Sequence, residues 1–105
     1  MVGERIKALA ESLRDEVTEL RHHFHRYPET AWKEVETSDK VEALLREWGF
    51  ENIRRGFRGT RSGVVADLNA GREGPSIALR ADMDALAIKE ENLVPYASGH
   101  EGVMH

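Results

Sequence analysis

Apolar residues recur at steps of three and four along the first two dozen positions: Ile6, Leu9, Leu13, Val17, Leu20 and Phe24. That spacing lays one stripe along a helix, with Glu4, Arg14, Asp15, Glu19 and Arg26 falling off it. Pro28 ends the run, because the residue before a proline is pushed out of the helical region. A second helix is predicted from about Glu34 to Trp48, with Val41, Leu44, Leu45 and Trp48 as its inner face, extended backwards by Thr37. Gly49 stands where a left-handed C-terminal cap is wanted. The pattern then changes. Ile53 marks a short strand, and the glycines at 56, 59 and 63 make Gly56 to Ser62 a loop. Val64, Ala66 and Leu68 alternate with Val65 and Asp67, and Ile77, Leu79 and Ala81 alternate with Ala78 and Arg80, as two further strands require. Asn69 to Pro75 reads as the hairpin connection between them.

The expected order is helix, helix, three strands, then an irregular tail from Asp82 to His105. It predicts an α/β fold with the Ile6 to Phe24 stripe packed against the sheet, and Trp32 and Trp48 as core residues. A tail this long is unusual in a compact domain, and three strands with two helices leave a sheet face or edge uncovered. Both features read as a piece of a longer chain.

Composition narrows the class. A length of 105 residues bounds the chain to one small domain, and 40% apolar with 32% charged residues suits a folded but wet one. A net charge of −4 gives no electrostatic reason to expect nucleic acid or an anionic membrane as partner. No apolar run is long enough to span a bilayer, and the first ten residues, charged at Glu4, Arg5 and Lys7, lack the apolar stretch of a signal peptide. With no cysteine there is no disulfide framework and no thiol catalysis. The expected location is the cytoplasm.

The most suggestive chemistry lies at Asp82-Met83-Asp84, directly after the third predicted strand. Ligands of α/β folds bind beyond the carboxyl ends of strands. Two carboxylates so placed can bind a metal, orient a metal ligand, or hold different protonation states. Aspartates there also serve as turn and capping residues. His22 and His25, three apart, share a helix face that a metal could exploit. Beside Phe24 and ahead of Pro28, His25 reads more simply as a half-buried hydrogen-bonding group or as the residue that fixes the helix exit. His100 and His105 sit in the tail. There is no phosphate-binding glycine loop and no nucleophile elbow.

Phe24 to Thr30 (FHRYPET), Glu34 to Phe50, Ile77 to Ser98 (IALRADMDALAIKEENLVPYAS) and Gly102 to His105 (GVMH) together resemble the amidohydrolase branch of the dinuclear-metal exopeptidases. That branch includes aminoacylases, hippurate hydrolases, thermostable carboxypeptidases and auxin-conjugate hydrolases. The resemblance spans roughly Leu20 to His105, and several motifs in order make it specific. It implies that residues 1–105 are the N-terminal part of a three-layer αβα catalytic domain, with the lid and dimerisation domain and the remaining catalytic segments lying elsewhere. It implies a metal-dependent hydrolase of the amide bond of N-acyl amino acids or peptides, working with two divalent metal ions (zinc, manganese or cobalt) and forming a homo-oligomer. Carried over by position, Asp84 matches the family's active-site aspartate, which orients a ligand. Asp82 and His105 would line the site. The family's metal ligands follow in a segment beyond His105, so the chain alone is expected to hold no metal tightly and to be inactive. Tyr27 and Ala87 depart from the family's histidine and proline, and Gly59 to Val65 carries two extra residues. These departures bear on the substrate. Two other readings stand beside it. One is a phosphotransferase built on Asp82-x-Asp84, for which Ala85-Leu86 is a poor continuation. The other is a non-catalytic binding module.

Overall fold

The computed structural model describes residues 1–105. The N-terminal stripe forms two helices, α1 (Val2–Ser12) and α2 (Arg14–Arg26). The division falls at Leu13, which stays right-handed helical at φ −95° and ψ −4°. Hydrogen bonds run through it, from the Leu13 N–H to the Leu9 carbonyl at 3.1 Å and from the Val17 N–H to the Leu13 carbonyl at 2.9 Å. The predicted single helix is therefore one helical rod with a loosened turn. It ends at Arg26, with Tyr27 at φ −120° and ψ 59° ahead of Pro28.

Helix α3 (Val35–Glu47) lies within the predicted span. Its N-terminal residue, Glu34, makes no side-chain cap. The Glu29 carboxylate does so from six positions ahead of the helix, accepting from the Thr37 N–H at 2.6 Å, the Thr37 hydroxyl at 2.7 Å and the Glu36 N–H at 3.3 Å. A negative charge at a helix start also meets the positive end of the dipole. At the other end Gly49 adopts φ +84°. The Gly49 N–H reaches the Arg46 carbonyl and the Phe50 N–H reaches the Leu45 carbonyl, the paired bonds of a Schellman motif.

Strands β1 (Glu51–Arg55) and β2 (Val64–Asp67) fall where the sequence predicts strands and form an antiparallel pair, so the hairpin lies here and not at Asn69 to Pro75. Glu51 faces Asp67 and Arg54 faces Val65, so β1 carries one extra residue, a bulge at which Asn52 sits at φ 48°. The Asn52 amide and the Arg54 guanidinium both donate to the Asp67 carboxylate, which lowers its pKa, chiefly through the Asn52 bond. Arg55 ties the hairpin to α3. Its guanidinium donates to Asp39 at 2.7 Å, to Glu42 at 3.3 Å, to the Val35 carbonyl at 2.9 Å and to the Arg61 carbonyl at 2.8 Å.

Three sequence expectations are corrected. The third strand is absent: residues 68–84 lie outside any helix or strand, and Ile77 and Leu79 are 88% and 95% exposed. Alternation prepares a strand, but hydrogen bonds to a neighbour make one, and no edge of the β1–β2 pair meets this segment. The N-terminal stripe is not packed on the sheet. Ile6, Leu9 and Val17 are more than half exposed, and only α3 packs against both strands. Trp32 and Trp48 are likewise exposed rather than core. Six residues of 105 are buried, and only Pro28 and Ala85 among them are apolar. Cohesion therefore rests on polar ties more than on a closed core.

The hairpin loop gives a local test. Gly56 holds φ +78°, and a Cβ there would stand 2.7 Å from the backbone oxygen of Thr60. Gly56→Ala should destabilise the hairpin by about 2 kcal/mol. Gly3→Ala, a helix position with open space around it, should be neutral or stabilising by up to about 1 kcal/mol. Denaturant titration of both variants checks the contrast, and an equal effect would contradict the geometry.

Candidate functional site

Past Arg26 the chain leaves the helix, and the carbonyls of Arg26, Pro28 and Glu29 need donors from elsewhere. The tail supplies all three. The Gly99 N–H donates to Arg26 at 2.8 Å and the Ala85 N–H to Glu29 at 2.8 Å. The His100 ring donates from Nδ1 to Pro28 at 2.7 Å, which fixes its tautomer. Arg26 returns a guanidinium bond to the Pro95 carbonyl at 2.8 Å. Gly99 suits the crowding, since a Cβ there would lie 3.2 Å from the Arg26 oxygen.

A histidine–carboxylate pair lies within this clasp. His25 Nε2 donates to Glu90, 2.8 Å from one carboxylate oxygen and 3.1 Å from the other. Glu90 also accepts from the Ser98 N–H at 2.7 Å and from Asn92 at 2.9 Å. Both side chains are largely covered, 15% exposed for His25 and 7% for Glu90. The Ser98 N–H, then Asn92 and His25, hold the Glu90 carboxyl below its ordinary pKa of 4.5. Tyr96 completes the packing. His22 stacks on its ring at 3.7 Å, His25 meets it edge-on at 5.6 Å, and the Arg21 guanidinium lies 5.4 Å from its centre. His22 and His25 are thus engaged with the tail and with Tyr96 rather than turned together toward a metal.

The sequence-predicted residues are placed as follows. Asp82 is exposed and pairs with Arg80 at 2.8 Å. Asp84 follows in irregular chain, not at a strand end, because the preceding strand is absent. Directly after it the backbone becomes ordered. Ala85 bridges Thr30 in parallel, and Leu86 bridges Met104 antiparallel, with N–H to carbonyl bonds of 2.9 and 3.0 Å. That bridge brings Asp84 into the electrostatic neighbourhood of His105. Partial burial pushes the His105 imidazole below its ordinary pKa, His25 adds to the shift, and Asp84 opposes it. No group of three or more His, Asp or Glu side chains is arranged to hold a metal ion. Glu90 and Ser98 escaped the sequence reading. The signal for Glu90 was the two-residue spacing Asp84, Leu86, Ile88, Glu90 inside the segment that carries the resemblance. Nothing local marked Ser98.

Comparison with known proteins finds relatives named as deacetylases, amidohydrolases and carboxypeptidases. No protein-family model matches it. It is homologous to N-acetyl-L-cysteine deacetylase of Bacillus subtilis, 44% identical over 90% of this chain and 22% of that protein. It also matches N-acyl-L-amino acid amidohydrolase of Geobacillus stearothermophilus, 38% identical over 100% of this chain and 28% of the other. Thermostable carboxypeptidase 1 of Saccharolobus solfataricus is 36% identical over 97% and 25%. Among solved structures, a dinuclear metal binding peptidase of the M20 family from Bacillus subtilis superposes with a TM-score of 0.80 at 36% identity, over 90% of this chain and 26% of that one. The α/β fold and the resemblance read from the motifs are therefore shown. The chain spans about a quarter of the length of the curated relatives it matches.

The low pKa of Glu90 sets a pH dependence. A carboxyl depressed on folding contributes stability that is present above its unfolded value and lost as pH falls through its folded value. The clasp should therefore be intact at neutral pH and loosen only below about pH 4.5. Glu90→Gln should remove most of that acid transition. Amide resonances of Ser98 and Gly99 followed from pH 7 to 3 would report it, and an unchanged transition in the variant would contradict the assignment.

Proposed function

We propose that this chain serves a metal-dependent amide hydrolase of the aminoacylase and carboxypeptidase type, acting on N-acyl amino acids or peptides. The observation that carries the reading is the agreement in reaction among relatives 36–44% identical over nine-tenths or more of this chain: a deacetylase, an amidohydrolase and a carboxypeptidase each break an amide bond. The phosphotransferase reading of Asp82-x-Asp84 finds no support among these relatives. In this reading the chain is the N-terminal part of the catalytic domain, and the whole enzyme is a cytoplasmic homo-oligomer with small-molecule substrates. A net charge of −4 supports the absence of nucleic acid and anionic membrane as partners, and no helix is long and apolar enough to cross a membrane.

Two divalent metal ions, as zinc, manganese or cobalt, belong to the proposed complete enzyme. The side chains of this chain do not by themselves fit such a centre, because they bring no three donors together. A catalytic ion takes about three protein ligands. What the chain contributes in the proposal is position. The Asp84 carboxylate orients a ligand supplied from outside residues 1–105, and Asp82 and His105 line the approach.

Asp84→Asn in the enzyme at its relatives' full length should lower kcat for an N-acetyl amino acid by roughly 10- to 100-fold with little change in KM, since it removes a charged orienting partner. Residues 1–105 alone should show no turnover. Steady-state assays with N-acetyl amino acids and with dipeptides check both. Unchanged kcat at full metal occupancy would remove Asp84 from the site, and hydrolysis of neither substrate class would sink the proposed activity.

A further inference from the structure

We propose that His25 and Glu90 are positioning residues, which together fix the loop that presents Asp84 and His105. The proposal rests on the reading above for the role of Asp84. It goes beyond that reading in assigning work to two residues that lie outside the Asp82 to Asp84 motif.

The case is a continuous path of hydrogen bonds. His25 sits on the last turn of α2, and its Nε2–H donates to the Glu90 carboxylate at 2.8 Å. Glu90 takes the Ser98 N–H at 2.7 Å on the same oxygen, while Asn92 donates to the other at 2.9 Å. The Ser98 hydroxyl lies 2.7 Å from the Val103 carbonyl and 2.9 Å from the His100 carbonyl, and the His100 N–H returns to that hydroxyl at 3.2 Å. Residues 98–103 are thereby folded back on themselves, which delivers Met104 to its two-bond bridge with Leu86. Ala85, held on the Glu29 carbonyl at 2.8 Å and only 4% exposed, is the fixed point from which Asp84 projects. His105 follows Met104 directly.

The path joins two stretches of backbone that have no regular structure of their own. Residues 87–103 form a loop with its ends joined at Leu86 and Met104. Such a loop keeps one shape only if something inside it is pinned. Glu90 is its most heavily bonded side chain, and its partner outside the loop is a helix residue. A helix is the rigid side of that contact. A carboxylate that orients a histidine, or a histidine that orients a carboxylate, acts through geometry, and a misplacement of about 1 Å can cost roughly a hundredfold in rate.

Three variants in the complete enzyme test this: His25→Ala, His25→Gln and Asp84→Asn. A glutamine can place an amide N–H near where His25 Nε2 stood, so it keeps the donor and loses the ring. His25→Ala should lower kcat by roughly 10- to 100-fold with KM changed by about twofold or less. Amide exchange read by mass spectrometry should rise about tenfold in segments 84–87 and 103–105, while the β1–β2 hairpin keeps its protection. His25→Gln should recover most of both losses. Unchanged exchange at 84–87 and 103–105 in His25→Ala would overturn the proposal. So would equal damage from alanine and glutamine, or exchange rising across the hairpin too, which marks general loosening. Asp84→Asn separates the two readings. If it lowers kcat and His25→Ala does not, positioning by His25 is wrong. If Asp84→Asn itself leaves kcat unchanged, the fault lies in the role given to Asp84.

Discussion

Three backbone carbonyls at the exit of α2 organise everything downstream of them. Pro28 stops the helix, so the oxygens of Arg26, Pro28 and Glu29 have no donor in the turns that follow. An uncovered carbonyl beside a buried proline is costly, of the order of 1–3 kcal/mol. The chain meets that cost with donors nearly sixty or more residues further on: Ala85, Gly99 and the ring of His100. The same short exit also places the Glu29 side chain over the first turn of α3. One segment of four residues, Arg26 to Glu29, therefore caps the helix ahead of it, receives the tail behind it and sets the approach of Asp84.

How much of this the sequence discloses depends on the range of the force involved. Local rules held. The three-and-four spacing gave the N-terminal rod, Pro28 its end, Gly49 its positive-φ cap to α3, and the glycines at 56, 59 and 63 a loop. Each of those is decided within a few residues. The third strand failed because a strand is a relation between segments. Ile77, Leu79 and Ala81 have the alternation but no neighbour to accept and donate. The two tryptophans failed for a related reason. Size and apolarity argue for burial only when another surface is available to cover them, and Trp32 and Trp48 have none here.

The candidate site was legible in part. Motif order pointed to Asp84 and His105 and to a kind of enzyme, and the relatives the chain matches carry names of that kind. Periodicity could not show that the chain beside Asp84 meets the chain beside His105, because the Leu86 to Met104 bridge closes a loop without repeat. The reading of His25 as a hydrogen-bonding residue near the helix exit agrees with its bond to Glu90. Its partner was beyond reach, since sixty-five residues separate them.

The carboxylates themselves sort by what occupies their lone pairs. Glu29 is filled by two backbone donors and a hydroxyl, Asp67 by an amide and a guanidinium, and Glu90 by His25, Asn92 and the Ser98 N–H. A carboxylate bonded in this way is held in one orientation and has little capacity left for a substrate or a ligand. These three hold structure. Asp82 spends its charge on Arg80 at the surface, a pair worth little in water. Asp84 differs from these four. Its backbone neighbour Ala85 is among the best fixed residues in the chain, yet no side-chain hydrogen bond or ion pair within residues 1–105 engages its carboxylate. A rigid base under an uncommitted charge is what an orienting group needs, because its oxygens stay available while its position does not drift. Other acidic side chains, Glu34 among them, are also without a partner, and what Asp84 adds is its place beside the fixed Ala85 within the segment that carries the motif.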